Sequence, residues 1–251
     1  MSKQSGPHKI RGSVDDLTYR KTKNGYVISE KSRLSADQVR TESRFLLTRQ
    51  NGKEFGRATK GGGLIRNSIS DILKKSKDGN IVPRMVKLLM QIIKADTTNP
   101  RGLRNLADGD WAQLKDFDFN INAPMTQVFT APNTTTIDRT TGTVTVGIPS
   151  FVPVNKIAAP PSATHFKIAM AANEYDFAAK AYLGDIVQTA ALPLDTTPTT
   201  AINQDLSITA GSVLPVAAVI GIVFLELVNG DYWEMSNHSF NTMAVTLADK
   251  V

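Results

Sequence analysis

The chain has 251 residues, with 29 Lys or Arg, 23 Asp or Glu, and no cysteine. With 41% hydrophobic and 21% charged residues it is a globular composition, long enough for one large domain or two modest ones. The absence of cysteine excludes disulfides, thiolate zinc sites and thiol nucleophiles together.

The N-terminus, Met-Ser-Lys-Gln-Ser-Gly-Pro-His, has no apolar core of the kind a secretory leader needs. The expectation is synthesis in the cytoplasm without a signal peptide, with lysis or a dedicated machine as the route by which a particle or assembly would be released. Residues 1–8 read as a polar arm. Leu17–Thr22 and Tyr26–Lys31 then flank Lys23-Asn24-Gly25, a strong hairpin signal because Asn-Gly accepts the positive φ of a type I′ turn. Lys21 and Lys23 make that ribbon basic.

Ser35 and Gln38 form the S-x-x-Q pattern of a capping box. A first helix is expected over about 36–50, stopped by Asn51-Gly52. Arg40, Arg44, Arg49, Lys53, Arg57 and Lys60 recur every three to five residues. They would form one cationic stripe if the helix resumed in register. Gly61-Gly62-Gly63 is expected to be a flexible joint. Leu64, Ile65, Ile69, Ile72 and Leu73 predict a second helix, and Met85, Val86, Leu88, Leu89, Ile92 and Ile93 a third with Pro83 at its start. Asp108–Leu114, with Trp111, adds a short one.

From Phe117 the pattern turns to β. Phe117, Phe119 and Ile121 alternate with Asp118, Asn120 and Asn122, and two runs surround Thr141-Gly142 as a hairpin. Further strands are expected over 165–172, 180–191 and 206–210. The last hairpin turns at Asn229-Gly230, and 241–247 closes the chain. The apolar run Val213–Val228 contains Pro215 and Glu226 and is rich in Val and Ile. It reads as a buried strand rather than a membrane span. The fold class expected is α+β. A basic N-terminal β-hairpin with a helical module at 1–115 precedes a C-terminal antiparallel β-sandwich at 116–251, immunoglobulin-like or fibronectin-like in size.

No constellation of catalytic residues stands out. Histidine occurs at His8, His165 and His238, without H-E-x-x-H spacing, and no G-x-S-x-G elbow exists. Gly61-Gly62-Gly63 lacks the Gly-Lys-Ser/Thr of a phosphate-binding loop. Asp108, Asp110, Asp116 and Asp118 lack a calcium-loop pattern. The reading is therefore no enzyme, no cofactor, no metal, no membrane span and no evident small-molecule substrate. Residues 1–115 hold 24 Lys or Arg and 11 Asp or Glu, a balance of +13, and residues 116–251 hold 5 and 12, a balance of −7. Such polarity suits head-to-tail self-association or an anionic partner such as nucleic acid. The bland reading is two subdomains attracting each other, on an otherwise solvated face.

Several blocks carry a resemblance. They include Gly25-Tyr26, Arg44-Phe45, Glu54-Phe55-Gly56-Arg57-Ala58, Asp96-Thr97-Thr98-Asn99, Phe119-Asn120-Ile121-Asn122, Ile137-Asp138-Arg139-Thr140-Thr141-Gly142 and Thr164-His165-Phe166. On these the chain resembles an uncharacterised protein family of Bacteroidota, over nearly its whole length. The resemblance implies a single full-length architecture and brings no catalytic residues.

The function expected is a non-enzymatic structural subunit that assembles with copies of itself into a filament, tube, shell or virion-like particle. Its basic side would be Lys21, Lys23, Arg40, Arg44, Arg49, Lys53, Arg57 and Lys60. Its acidic complement would be Asp176, Asp185, Glu226 and Asp231. The alternative is a cytoplasmic nucleic-acid-binding protein using the basic residues on phosphates. A third reading, an enzyme or carbohydrate-binding sandwich, would rest on Trp111 and Trp233.

Overall fold

A computed structural model of the chain describes residues 2–31, 34–235 and 240–251. It is α+β, with helices and antiparallel sheets. Two compact units, Met1–Gln50 and Asn51–Val251, divide it.

The first unit opens with a four-stranded antiparallel sheet: β1 (Ser2–Lys3), β2 (Gly12–Val14), β3 (Leu17–Thr22) and β4 (Gly25–Glu30), in the order β1-β4-β3-β2. Thr22 pairs with Gly25, so the tight turn is Lys23-Asn24. Gly25, at φ 109°, takes the positive φ, rather than Asn24 and Gly25 together. Helix α1 (Ala36–Thr41) starts at the capping box: Gln38 N donates to Ser35 Oγ (3.0 Å) and Ser35 N to Gln38 Oε1 (2.8 Å). It ends early because Glu42 is extended (φ −69°, ψ 140°). The expected helix over 36–50 is thus broken at residue 42.

Helix α2 (Leu46–Ser68) follows a 3-10 turn at Ser43–Phe45 and runs straight through Asn51-Gly52 and Gly61-Gly62-Gly63. Neither site is the stop or joint expected from sequence. Close packing explains two of the glycines. A Cβ on Gly61 would lie 2.2 Å from Leu106 Cδ1, and one on Gly62 would lie 3.2 Å from Leu89 Cδ1. Helices α3 (Ser70–Ser76) and α4 (Ile81–Lys94) complete a helical layer, with a 3-10 turn at Trp111–Leu114.

After the short α5 (Met125–Val128), β5 (Thr134–Asp138) and β6 (Thr143–Ile148) form a hairpin. The short α6 (Pro153–Lys156) leads to β7 (His165–Asp176), β8 (Ala181–Gln188), β9 (Leu192–Pro193) and β10 (Ile202–Ser207). Then come β11 (Val216–Val228), β12 (Asp231–Glu234) and β13 (Thr242–Asp249). The larger sheet centres on β11 and β7, with β12 and β13 along the far side of β11 and β8 and β9 along β7. The smaller sheet is β10-β6-β5. Side chains bridge the sheets at both edges: Thr135 Oγ1 donates to Thr246 Oγ1 (2.9 Å), and Ser207 N to Asp185 Oδ2 (3.3 Å). The C-terminal sheet thereby curls into a half-barrel, sandwich-like around one core.

The larger sheet is buried on both faces. Phe166, Ile168, Met170 and Ala172 of β7, with Ala218, Ile220, Ile222 and Phe224 of β11, face the smaller sheet. Ala169, Ala171 and Tyr175, with Ala217 and Val219, face the helices. Small alanines on that second face let the helices approach closely. This explains why the apolar run of β11 does not alternate: each face has its own cover. It also explains why the 115/116 division falls inside a compact unit, since residues 51–115 build one of the two cores of the β part. Phe117, Phe119 and Ile121 do not form the expected strand. Phe117 and Phe119 are buried in an irregular segment held along β13, where Phe119 N donates to Met243 O (2.8 Å) and Val245 N to Phe117 O (3.1 Å). The hairpin β11–β12 does turn at Asn229 (φ 54°) and Gly230 (φ 92°), both positive as a type I′ turn requires.

Candidate interaction surfaces

Alternation along β3 and β4 sorts the first sheet into two faces. Tyr19 lies opposite Ile28, Lys21 opposite Tyr26, and Leu17 opposite Glu30, so these six share one face. Val14 and Gly12 extend it through β2. Arg11 and Lys21 flank the Tyr26 ring, 5.6 Å and 5.9 Å from its centroid. Arg11 Nη2 also donates to the Tyr26 hydroxyl (3.5 Å), and this bond holds the phenol below its ordinary pKa. Lys23 projects from the turn, exposed. Sequence reasoning named Lys21 and Lys23 as candidates and did not name Arg11, Tyr19 and Tyr26, which the structure places beside Lys21. The alternation in 17–22 and 26–31 was the available signal.

Little of this unit is covered. Val27 is its one buried hydrophobic side chain among the described residues, while Ile10, Val14, Leu17, Leu34, Leu46 and Leu47 are 41–54% exposed. Its charge is as lopsided as its burial. Residues 1–50 contain 11 Lys or Arg and 5 Asp or Glu, a net of +6, whereas 51–251 contain 18 of each. At the observed boundary the first unit carries the whole net charge, and the second is neutral overall because a balance of +7 in residues 51–115 offsets −7 in residues 116–251.

The remaining arginines of the expected stripe are engaged locally. Arg40 pairs with Asp37, and Arg44 Nε with Glu42 Oε2 (2.5 Å), its guanidinium lying 4.9 Å from the Phe45 ring centroid. Arg49 Nη1 donates to the carbonyls of Val39 (3.0 Å) and Glu42 (2.8 Å), satisfying the end of α1. In the second unit Arg57 Nη1 donates to Gly102 O (2.8 Å) and Arg104 O (3.0 Å). Lys53 and Lys60 are exposed on α2 without an ion-pair partner among the described residues. The expected basic set thus resolves into four exposed lysines (Lys21, Lys23, Lys53 and Lys60) and four arginines with local partners.

The acidic set is not gathered into one face. Asp176 Oδ1 accepts from the amides of Ala178 (2.9 Å) and Ala179 (2.8 Å), shaping the β7–β8 turn, and Asp185 ties β8 to β10. Glu226 and Asp231 lie at the opposite end of the sheet, because β7 and β11 are antiparallel with Val216 beside Glu174 and Leu225 beside His165. There they belong to the β11–β12 hairpin, whose Leu227, Val228, Tyr232 and Trp233 are exposed. At the hairpin base Glu234 pairs with Lys75, and Tyr232 packs edge-on to His165 (4.8 Å between ring centroids).

Trp111 is a core residue. It is 1% exposed, packs with Tyr175 and Phe177, and its Nε1 donates to Val216 O (2.8 Å). Trp233, by contrast, is open to solvent at 63%. His238 lies outside the described residues. Among the described residues no cluster of three metal-ligating side chains occurs, and no helix is long and apolar enough to cross a membrane.

Two blocks of the resemblance prove to be fasteners of the loop after α4. Glu54, fully buried on α2, accepts from Gly102 N (2.7 Å), Arg104 Nε (2.8 Å) and Arg104 Nη2 (2.9 Å). Asp96 accepts from the amides of Thr98, Asn99 and Asn105 and from the Asn99 side chain. No family model matches the chain, and neither does any curated protein or solved structure.

Proposed function

We propose that this protein is a non-enzymatic structural subunit that assembles with further copies of itself through its first unit. One observation carries the reading: a basic 50-residue unit buries Val27 and leaves six large aliphatic side chains exposed. A four-stranded sheet with one buried hydrophobic side chain among the described residues has little to hold it together, and its exposed aliphatic side chains are free to be buried against a neighbour. A complement exists on another copy in the β11–β12 hairpin, where Glu226 and Asp231 accompany exposed Leu227, Tyr232 and Trp233. A hairpin of one subunit meeting the basic tyrosine face of the next is a heterologous contact, and repetition of it builds rings or open filaments. Arg40 and Arg44 already have carboxylate partners, so the informative substitutions are Lys21→Glu with Lys23→Glu.

The test is light-scattering size chromatography on nuclease-treated protein, with negative-stain imaging of large fractions. Ordered filaments, tubes or shells are expected, and the double variant should remain small with an unchanged circular-dichroism spectrum. A monomer at every concentration would refute the proposal.

A second reading has its own support. Tyr19 and Tyr26 beside Arg11 and Lys21 combine stacking surface with cations, which suits a single-stranded nucleic acid. It predicts retention on an oligonucleotide that falls steeply as salt rises.

A further inference from the structure

Apart from the assembly surfaces, the second unit contains a cavity of about 750 Å³, within the range of small-molecule sites. Leu64, Leu103, Leu106 and Phe177 form its apolar wall. Lys60 and Lys180 line it with no ion-pair partner among the described residues, and Arg57, a third cation, is turned to backbone carbonyls. The one carboxylate of its lining, Asp108, is already engaged: the side-chain amides of Asn99 and Asn105 each donate to its Oδ2 at 2.7 Å.

Gly63, in the middle of α2, also lines the cavity. Unlike Gly61 and Gly62, it has no packing reason to be glycine. A Cβ there would meet nothing closer than Arg66 Nη2 at 4.0 Å. A side chain at this position therefore has room to enter, and glycine there weakens the helix. Arg66, half-buried on the same helix, is not part of the lining. Its one polar protein partner among the described residues is Met85 Sδ (3.9 Å), and burial lowers its pKa. The chamber therefore combines an apolar wall with Lys60 and Lys180 as its cations without an ion-pair partner among the described residues.

We infer that this cavity binds an amphipathic monocarboxylate, its apolar body against Leu64, Leu106 and Phe177 and its carboxylate at Lys60 and Lys180. Charge selects the ligand class: cations outnumber free carboxylates around the cavity, and an ammonium in the same place would be repelled. The inference stands on the second unit alone and is independent of assembly.

The test is calorimetric titration of the full chain with decanoate, decanol and decylammonium as matched probes. Saturable binding of decanoate is expected, about tenfold or more tighter than decanol, with decylammonium weakest. Lys60→Gln with Lys180→Gln should bring decanoate down to the level of decanol. Gly63→Leu should abolish binding of all three while melting no lower than the unsubstituted chain, because leucine favours the helix and has open space to enter. Decylammonium binding as well as decanoate, undiminished binding by Gly63→Leu, or no saturable decanoate binding at millimolar concentration would each overturn the inference.

Discussion

Glu54 shows what a single side chain does in the second unit. Its carboxylate is inaccessible to water, yet the Arg104 hydrogen bonds outweigh burial and, with the Gly102 amide, hold its pKa below the usual range. Asp78 is similar. Burial opposes ionisation, but the amides of Ile121 and Asn80 and the Arg84 guanidinium (2.5 Å) prevail. A carboxyl depressed in the folded state stabilises above its unfolded pKa, about 4.3 for Glu, and that stabilisation is lost as pH falls through the folded value. Glu54→Gln should therefore cost about 3 kcal/mol at pH 7, since it breaks a buried pair. The gap in Tm between wild type and variant should close as pH drops below about 4, which calorimetric melting across pH 2–7 would show. A gap constant with pH would mean that Glu54 acts by shape alone. None of this was legible in the sequence, where Glu54 stands among polar residues and its partner lies fifty positions away.

At the scale of elements, α2 is where pattern reading failed most clearly. Asn-Gly and a triple glycine are ordinary signals of a stop and a joint. Here packing overrides propensity at Gly61 and Gly62, which let Leu106 and Leu89 close onto the helix. Gly52 and Gly56 have open space around their Cβ positions, so they only weaken the helix. Gly56→Ala should then raise stability by up to ~1 kcal/mol. Gly61→Ala should lower it by about 1 kcal/mol, because Leu106 and Phe177 must move. Urea melts of the two variants would separate these signs, and stabilisation by both would deny the tight approach at Gly61. The capping box at Ser35, the strands β7 and β11 and the Asn229-Gly230 turn were all legible, because each rests on local chemistry or a long apolar run. The cover on both faces of the larger sheet was not, because a sequence does not say which layer lies over which.

For the whole molecule, the contrast lies between a second unit with two cores and a first unit with scarcely any. The cationic residues were visible as residues, and the structure leaves Lys21 and Lys23 exposed. Which arginines would be consumed by Asp37, Glu42 and helix-end carbonyls depended on where α1 stopped, and periodicity did not reveal that. What remains on the first sheet is a face of half-buried Tyr19, Tyr26 and Ile28 beside exposed Lys21 and Leu17. The proposed self-association would cover this face, and the net charge of the first unit would make such a contact sensitive to salt.

The most direct measurement is hydrogen–deuterium exchange of nuclease-treated protein across a concentration series. The assembly account predicts that amides in Leu17–Thr22 and Gly25–Glu30 become protected as concentration rises, while those of β7 and β11 are protected throughout. Exchange of the first sheet that stays fast and independent of concentration would contradict it.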